Sequence, residues 1–262
     1  MQTANFNNTV KIIRKEEQRG VLTLQIFRPE ANNSINTALI TQLLEILKNY
    51  EQAEEIKVIV LEGLPDHFCS GMDFKAVAET DPRDTSGIDL NGFYELLKHL
   101  SLSAKVIISK VEGKVNAGGI GLVAASDIVL ADEKAVFSLS EILFGLLPAC
   151  VLPFLIRRIG YQKALWMTIT TQGISAQRAY QLGLVDEVCV NVNDALRKNL
   201  IRLTRLEPDA IKGLKSYMSQ LWIMNEETQR LAVDKITSLL NTDKVRSNIE
   251  NFAKSGRFPW ER

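Results

Sequence analysis

The stretch Lys105–Ala131 reads KVIISKVEGKVNAGGIGLVAASDIVLA, and its pattern decides the fold class. Lys105–Ser109 has the short β-branched run of a strand. Gly118–Ala125 is apolar on every side, which suits a short buried helix. Asp127–Ala131 then reads as another strand. A strand, a buried helix and a strand in this order predict an α/β core with a parallel sheet. Inside the stretch, Val115-Asn116-Ala117-Gly118-Gly119-Ile120-Gly121-Leu122 brings three glycines to the helix start. The spacing is not GxGxxG, and no Gly-Lys-Ser/Thr follows, so it is not a phosphate loop. It does place free N–H groups at a buried helix N-terminus. The plainer reading of the same glycines is close packing of helix on sheet.

The alternation continues outward. Lys57–Leu61 (KVIVL) is almost continuously apolar, as in a strand covered on both faces. Val21–Phe27 reads as a strand ended by Arg28-Pro29. Asn36 is a candidate N-cap, because Leu39, Ile40, Leu43, Leu44, Ile46 and Leu47 follow at helical spacing. Asn91–Leu102 reads as a helix, and Glu79–Gly87 (ETDPRDTSG) as a mobile surface loop. From Pro153 onward helical periodicity dominates, with Glu187–Val190 as the one further strand. Ser175 is placed to cap Ala176–Leu182 and Gly183 to stop it. Ala195–Leu206, Asp209–Met224, Gln229–Leu240 and Asp243–Lys254 complete the set. The expectation is a βα core over residues 1–195 and a helical oligomerisation region over 196–262.

The chain has 262 residues, with Lys+Arg 31 and Asp+Glu 31. Zero net charge argues against a partner held by bulk positive charge, such as nucleic acid. Three cysteines and no apolar leader point to a reducing, cytoplasmic setting. Two histidines and no CxxC or HExxH spacing argue against a metal site. The apolar run Gly145–Ile156 is too short for a membrane span and holds Pro148 and Pro153.

Two further segments carry candidate chemistry. His67-Phe68-Cys69-Ser70-Gly71-Met72-Asp73-Phe74 follows strand Lys57–Leu61 and leads into a helical pattern. Its small residues let a ligand approach the backbone, although a plain turn with Asp73 as N-cap fits as well. Two such loops facing each other form a two-donor oxyanion hole. Phe137-Ser138-Leu139-Ser140-Glu141-Ile142-Leu143-Phe144 sets Glu141 in apolar surroundings. Desolvation there raises a carboxylate's pKa and suits it to general acid/base work. A capping or salt-bridged glutamate is the alternative.

At these segments the sequence resembles the crotonase (enoyl-CoA hydratase/isomerase) superfamily. Arg28-Pro29-Glu30-Ala31-Asn32-Asn33-Ser34-Ile35-Asn36, Phe68–Asp73, Asn116–Gly119 and SAQRAYQLGLVDEV (Ser175–Val188) match its motifs in order. The resemblance runs from about Val10 to the C-terminus. It implies a crotonase-like spiral of ββα turns with a C-terminal helical trimerisation region, as homotrimers often paired into hexamers. It implies a thioester substrate, with the backbone N–H groups of Met72 and Gly118 as the oxyanion hole. Hydratases of the family use two glutamates. The second corresponds to Glu141. The first corresponds to Gly121 and is missing.

That departure, with Lys114–Gly119, Pro148–Gly160 (PACVLPFLIRRIG) and Phe258-Pro259-Trp260, resembles one narrow branch. It is the 3-hydroxy-3-methylglutaryl-ACP dehydratases of polyketide β-branching. The branch implies no cofactor, the substrate being carried as a phosphopantetheine thioester, and an acyl carrier protein as partner. Glu141 is then the catalytic base, with Asp73, Asn116, Gly119 and Cys150 as substrate-binding candidates. Cys150 reads equally as a small buried apolar residue. Lys75, His99 and Lys110 are candidates for the substrate's distal carboxylate. An acidic carrier calls for basic residues, for which Arg157 and Arg158 form one cluster and Lys254 and Arg257 another. The second lies in a tail that often reaches a neighbouring subunit in this family. For either cluster an ordinary solvated face is the alternative. A double-bond isomerase, a methylglutaconyl-ACP decarboxylase and a non-catalytic carrier-binding subunit are the competing functions.

Overall fold

The computed structural model describes residues 13–79, 88–221 and 225–261; the expected loop Glu79–Gly87 lies almost wholly outside them. β1 (Ile13–Gln18) and β2 (Val21–Ile26) form an antiparallel hairpin. Its turn residues Arg19 and Gly20 both have positive φ, which matches the twist of the paired strands. After α1 (Thr37–Glu51), β3 (Val58–Glu62), β5 (Val106–Val111), β7 (Ile128–Asp132) and β10 (Glu187–Cys189) extend the sheet in the order β1-β2-β3-β5-β7-β10. All pairs except β1–β2 are parallel.

Both faces of this sheet are covered, which explains the continuous apolar strands. Leu22, Leu24, Ile59, Leu61, Ile107 and Val129 point into the main core. Their chain neighbours Val21, Val58, Val60, Val106, Ile108 and Leu130 form a second core with Val192 and Ala195 of α8 (Val192–Leu203) and Ile211 of α9 (Pro208–Gln220).

A second sheet was not legible in the sequence. Its strands β4 (His67–Cys69), β6 (Lys114–Asn116), β8 (Val136–Ser138) and β9 (Ile174–Ser175) are two or three residues long, too short for an alternation to show. Each of β3, β5 and β7 is followed at once by one of β4, β6 and β8. A helical segment comes next: α2 (Phe74–Glu79) and α3 (Leu90–Leu102), then α4 (Gly118–Ala125), then a 3₁₀ turn (Glu141–Phe144) and α5 (Leu152–Ile159). The result is a spiral of ββα turns. Because β4, β6 and β8 are adjacent and parallel, the segments leaving their C-terminal ends emerge side by side.

The remaining helices are α6 (Tyr161–Thr170), α7 (Ala176–Leu182), α10 (Glu226–Leu240) and α11 (Asp243–Ser255). Asn36 and Ser175 cap α1 and α7 through their side chains, and Gly183 ends α7 in the left-handed conformation, as expected. The expected boundary at residue 195 falls inside α8, and α10 sends Ala232, Val233 and Ile236 into the main core. Among the described residues no helix is long and apolar enough to cross a membrane.

Candidate active site

Three segments meet at the C-terminal ends of β4, β6 and β8. After β4 the chain is held to the Asn33–Asn36 loop by a short parallel bridge between Ile35 and Met72. The Ile35 N–H donates to Gly71 O at 2.7 Å, and the Asp73 N–H to Ile35 O at 2.9 Å. The N–H of Met72, between them, has no acceptor among the described residues. After β6, Ala117 takes φ +50° and ψ −118°, a strained backbone for a residue with a Cβ. Its N–H donates to Ser138 O at 3.0 Å. This turn starts α4 abruptly and leaves the Gly118 N–H without an acceptor among the described residues. The two loops are in contact: a Cβ added at Gly71 would sit 3.5 Å from the Gly118 nitrogen, and one at Gly119 2.8 Å from Cys69 O. Two unspent donors therefore lie on adjoining loops, the arrangement an oxyanion hole requires.

After β8 comes Glu141, the first residue of the 3₁₀ turn. Its Oε2 is buried and has no hydrogen-bond partner. Burial raises its pKa to about 7, with its own N–H and that of Ser140 pulling only partly back. Such a carboxyl both takes and returns a proton near neutral pH. The segment before it is fixed by Asn116. The Asn116 Nδ2 donates to Ser140 Oγ at 2.9 Å and reaches Ser70 O at 3.5 Å, while Ser138 Oγ donates to Asn116 Oδ1 at 2.9 Å. One amide thus ties the Gly118 loop to the Glu141 turn and to the Met72 loop. Nothing in the sequence marks Ser138 and Ser140 as its partners.

The position of the missing carboxylate is walled in. A Cβ at Gly121 would meet Leu97 Cδ1 at 3.0 Å and Val151 Cγ2 at 3.1 Å. Apolar side chains fill the place where a second acidic group would stand.

The other expected site residues are placed as follows. The Asp73 carboxylate accepts from the Ala76 N–H at 3.2 Å and pairs with Arg28 Nη2 at 3.0 Å. Burial pushes its pKa up, but the Ala76 N–H, Arg28 and Ser34 outweigh that and hold it below the ordinary value. It caps α2 and does not offer a free carboxylate. Cys150 is buried, its thiol 4.0 Å from Leu90 O and pushed by burial to about 12, so it is a neutral group. His99 Nε2 lies 3.3 Å from Glu51, and Lys110 pairs with Glu62 and Glu112, so each already faces a carboxylate of the chain. Lys75 is exposed on α2.

Of the two basic clusters, the first is engaged inside the chain. Arg157 donates to Ala124 O, and Arg158 to Leu184 O, Ser126 O and Asp186. Arg158 is a strut that joins α5 to the loops after α4 and α7. Lys254 and Arg257 are exposed at the end of α11. The tail packs on its own subunit. Phe252 and Phe258 pack edge-on and tilted against Phe144, and Phe74 joins them. Asn248 Nδ2 donates to Phe144 O at 3.3 Å. The C-terminal helix so covers the α2 and Glu141 elements of its own chain.

Comparison with known proteins agrees with this architecture. The family described as enoyl-CoA hydratase/isomerase matches residues 16–262. The bacillaene synthase dehydratase PksH of Bacillus subtilis (strain 168) is 42% identical over 254 residues, covering 97% of this chain and 98% of that protein. The 1,2-epoxyphenylacetyl-CoA isomerase of Escherichia coli (strain K12) is 31% identical over 183 residues, covering 68% of this chain and 70% of that protein. A solved structure of the polyketide biosynthesis enoyl-CoA hydratase pksH from Bacillus subtilis superposes with a TM-score of 0.89 at 40% identity, covering 95% of this chain and 99% of that one. With its ββα spiral and near-full-length match, the chain belongs to the enoyl-CoA hydratase/isomerase family, the crotonase superfamily, and is an enoyl-CoA hydratase-like enzyme.

Proposed function

We propose that the chain dehydrates 3-hydroxy-3-methylglutaryl-ACP to 3-methylglutaconyl-ACP in polyketide β-branching. The observation that carries this reading is the Glu141 carboxyl, whose buried Oε2 has no partner among the described residues and whose pKa lies near 7, together with a walled-off Gly121. The dehydratase name of the 42% identical relative supports it.

The thioester carbonyl sits between the N–H groups of Met72 and Gly118. Glu141 takes the proton from C2, and the carbonyl oxygen gains the charge of an enolate, which the two N–H groups stabilise. Loss of one such donor typically costs roughly 3–4 kcal/mol of barrier. The enolate electrons then form the C2–C3 double bond, and the C3–O bond breaks. The proton held by Glu141 passes to the departing oxygen, so water leaves and the carboxylate is restored. One group on one face does both transfers, a syn elimination. Gly119 lets the Gly118 loop close on Cys69, and Asp73 and Asn116 hold the two donor loops in place. Cys150 adds a neutral wall.

No cofactor enters this chemistry, because the phosphopantetheine arm belongs to the carrier. Exposed Lys254 and Arg257 stand where an acidic carrier protein docks, with Arg157 adding positive field from below the surface. The enzyme works as a homotrimer through the exposed apolar residues Leu214, Tyr217 and Met218 of α9 and Leu221 at its C-terminal end.

The test is the intact mass of the carrier after incubation with hydroxymethylglutaryl-ACP. Loss of one water supports the proposal. An unchanged mass contradicts it, and loss of carbon dioxide from methylglutaconyl-ACP assigns the decarboxylase instead.

A further inference from the structure

We infer that Tyr94 supplies the polar contact that Gly121 lacks: its phenol donates a hydrogen bond to the oxygen on C3 of the acyl chain, the one that departs as water. The assignment rests on the dehydratase reading above. Among the described residues, Tyr94 Oη, Glu141 Oε2 and His99 Nε2 are the buried side-chain nitrogen or oxygen atoms without a hydrogen-bond partner. His99 Nε2 has the Glu51 carboxylate 3.3 Å away. That leaves the base and one tyrosine, which is 1% exposed. Folded proteins rarely leave a buried hydroxyl unmatched, and such a group marks a ligand contact or a tolerated strain.

The surroundings favour the ligand. On α3, Tyr94 lies between Phe93, whose Cζ is 3.3 Å from where a Gly118 Cβ would be, and Leu97, which closes on Gly121. Its ring tilts against Phe154 of α5 at 5.3 Å, and Val151, just before that helix, is the other residue that closes on Gly121. Its neighbours on α3, and the residues around Phe154, are thus the ones that wall the oxyanion loop and the vacant carboxylate position. Burial first, then the nearby Cys150 thiol, pushes its pKa to about 12. It stays protonated at any working pH and acts as a donor, not a base. Glu141 still moves the proton, and Tyr94 aims the oxygen that receives it.

The probes are two unreactive pantetheine amides, 3-hydroxy-3-methylglutaryl and 3-methylglutaryl, which differ only in the C3 hydroxyl. Wild-type protein is expected to bind the hydroxylated probe about tenfold more tightly, the scale of one well-made buried hydrogen bond. Tyr94→Phe should bind both within about twofold. Because the lost hydroxyl has no partner in the free protein, the variant should melt at or above the wild-type temperature. Equal binding of both probes by wild type, an unchanged preference in Tyr94→Phe, or a lower melting temperature would each overturn the assignment. Failure of wild type to dehydrate hydroxymethylglutaryl-ACP, with the probe preference present and lost in Tyr94→Phe, would remove the dehydratase reading and leave the tyrosine contact standing.

Discussion

In the proposed reaction, Glu141 concentrates the chemistry in one ionisation. Its carboxyl titrates near 7 in the fold, above the ordinary value of 4.5. As a base it works only when ionised, so kcat/KM should fall about tenfold per pH unit below 7. The same shift affects stability. Below 4.5 the group is protonated whether folded or unfolded and costs nothing. Above 7 it is ionised in both states, and the folded protein bears the full desolvation cost. Glu141→Gln should therefore gain stability over wild type as pH rises from 4.5 through 7, by up to roughly 3 kcal/mol. Chemical denaturation at pH 4.5 and pH 8 checks this, and a gap that does not widen would contradict the burial argument. Asn116 makes a second test. Asn116→Leu unclamps Ser138 and Ser140, costs about 1–3 kcal/mol of stability, and should lower kcat more than it raises KM. Tyr94, Ser138 and Ser140 could not be picked out from sequence, because an aromatic at helical spacing and two serines near a turn are ordinary features. Glu141 could, because a carboxylate in an apolar run is costly.

At the scale of elements, each site segment is the exit of one short strand in the second sheet. Only the loops that those strands position showed in the sequence. The buried helix Gly118–Ala125 is found where its apolar composition put it, and the caps of α1 and α7 match because capping chemistry is local. Strands of three residues carry no period, so the sheet that gathers Met72, Gly118 and Glu141 stayed invisible. The donor role proposed for Met72 belongs to its backbone. Met72→Leu should therefore retain activity within a few-fold, whereas Met72→Pro removes the N–H and should lower kcat by about 10²-fold or more. Steady-state kinetics on purified variants with matched circular dichroism decide the point. Equal loss in both variants would assign the effect to the side chain.

For the whole molecule, the parallel sheet is covered on both faces, and the helical tail belongs to that cover as much as to any interface. α8 and α9 line the outer face of the sheet, and α10 enters the main core. α9 then has a second, uncovered face, with Leu214, Tyr217, Met218 and Leu221 between 57% and 67% exposed. Placing aspartate at both Met218 and Leu221 should turn a trimer into monomers in multi-angle light scattering, and an unchanged mass would move the interface elsewhere. The balanced charge also acquires a location. The first arginine pair is used to brace α5, so in the proposed function the basic surface offered to a carrier is at Lys254 and Arg257.

In the proposed reaction Glu141, alone among the carboxylates, performs the dehydration. The most direct measurement is the single-turnover rate of water loss from hydroxymethylglutaryl-ACP by wild type and by Glu141→Gln, read by intact carrier mass. The account predicts complete loss of one water with wild type and none above background with the folded variant. Water loss at the wild-type rate from Glu141→Gln would contradict it.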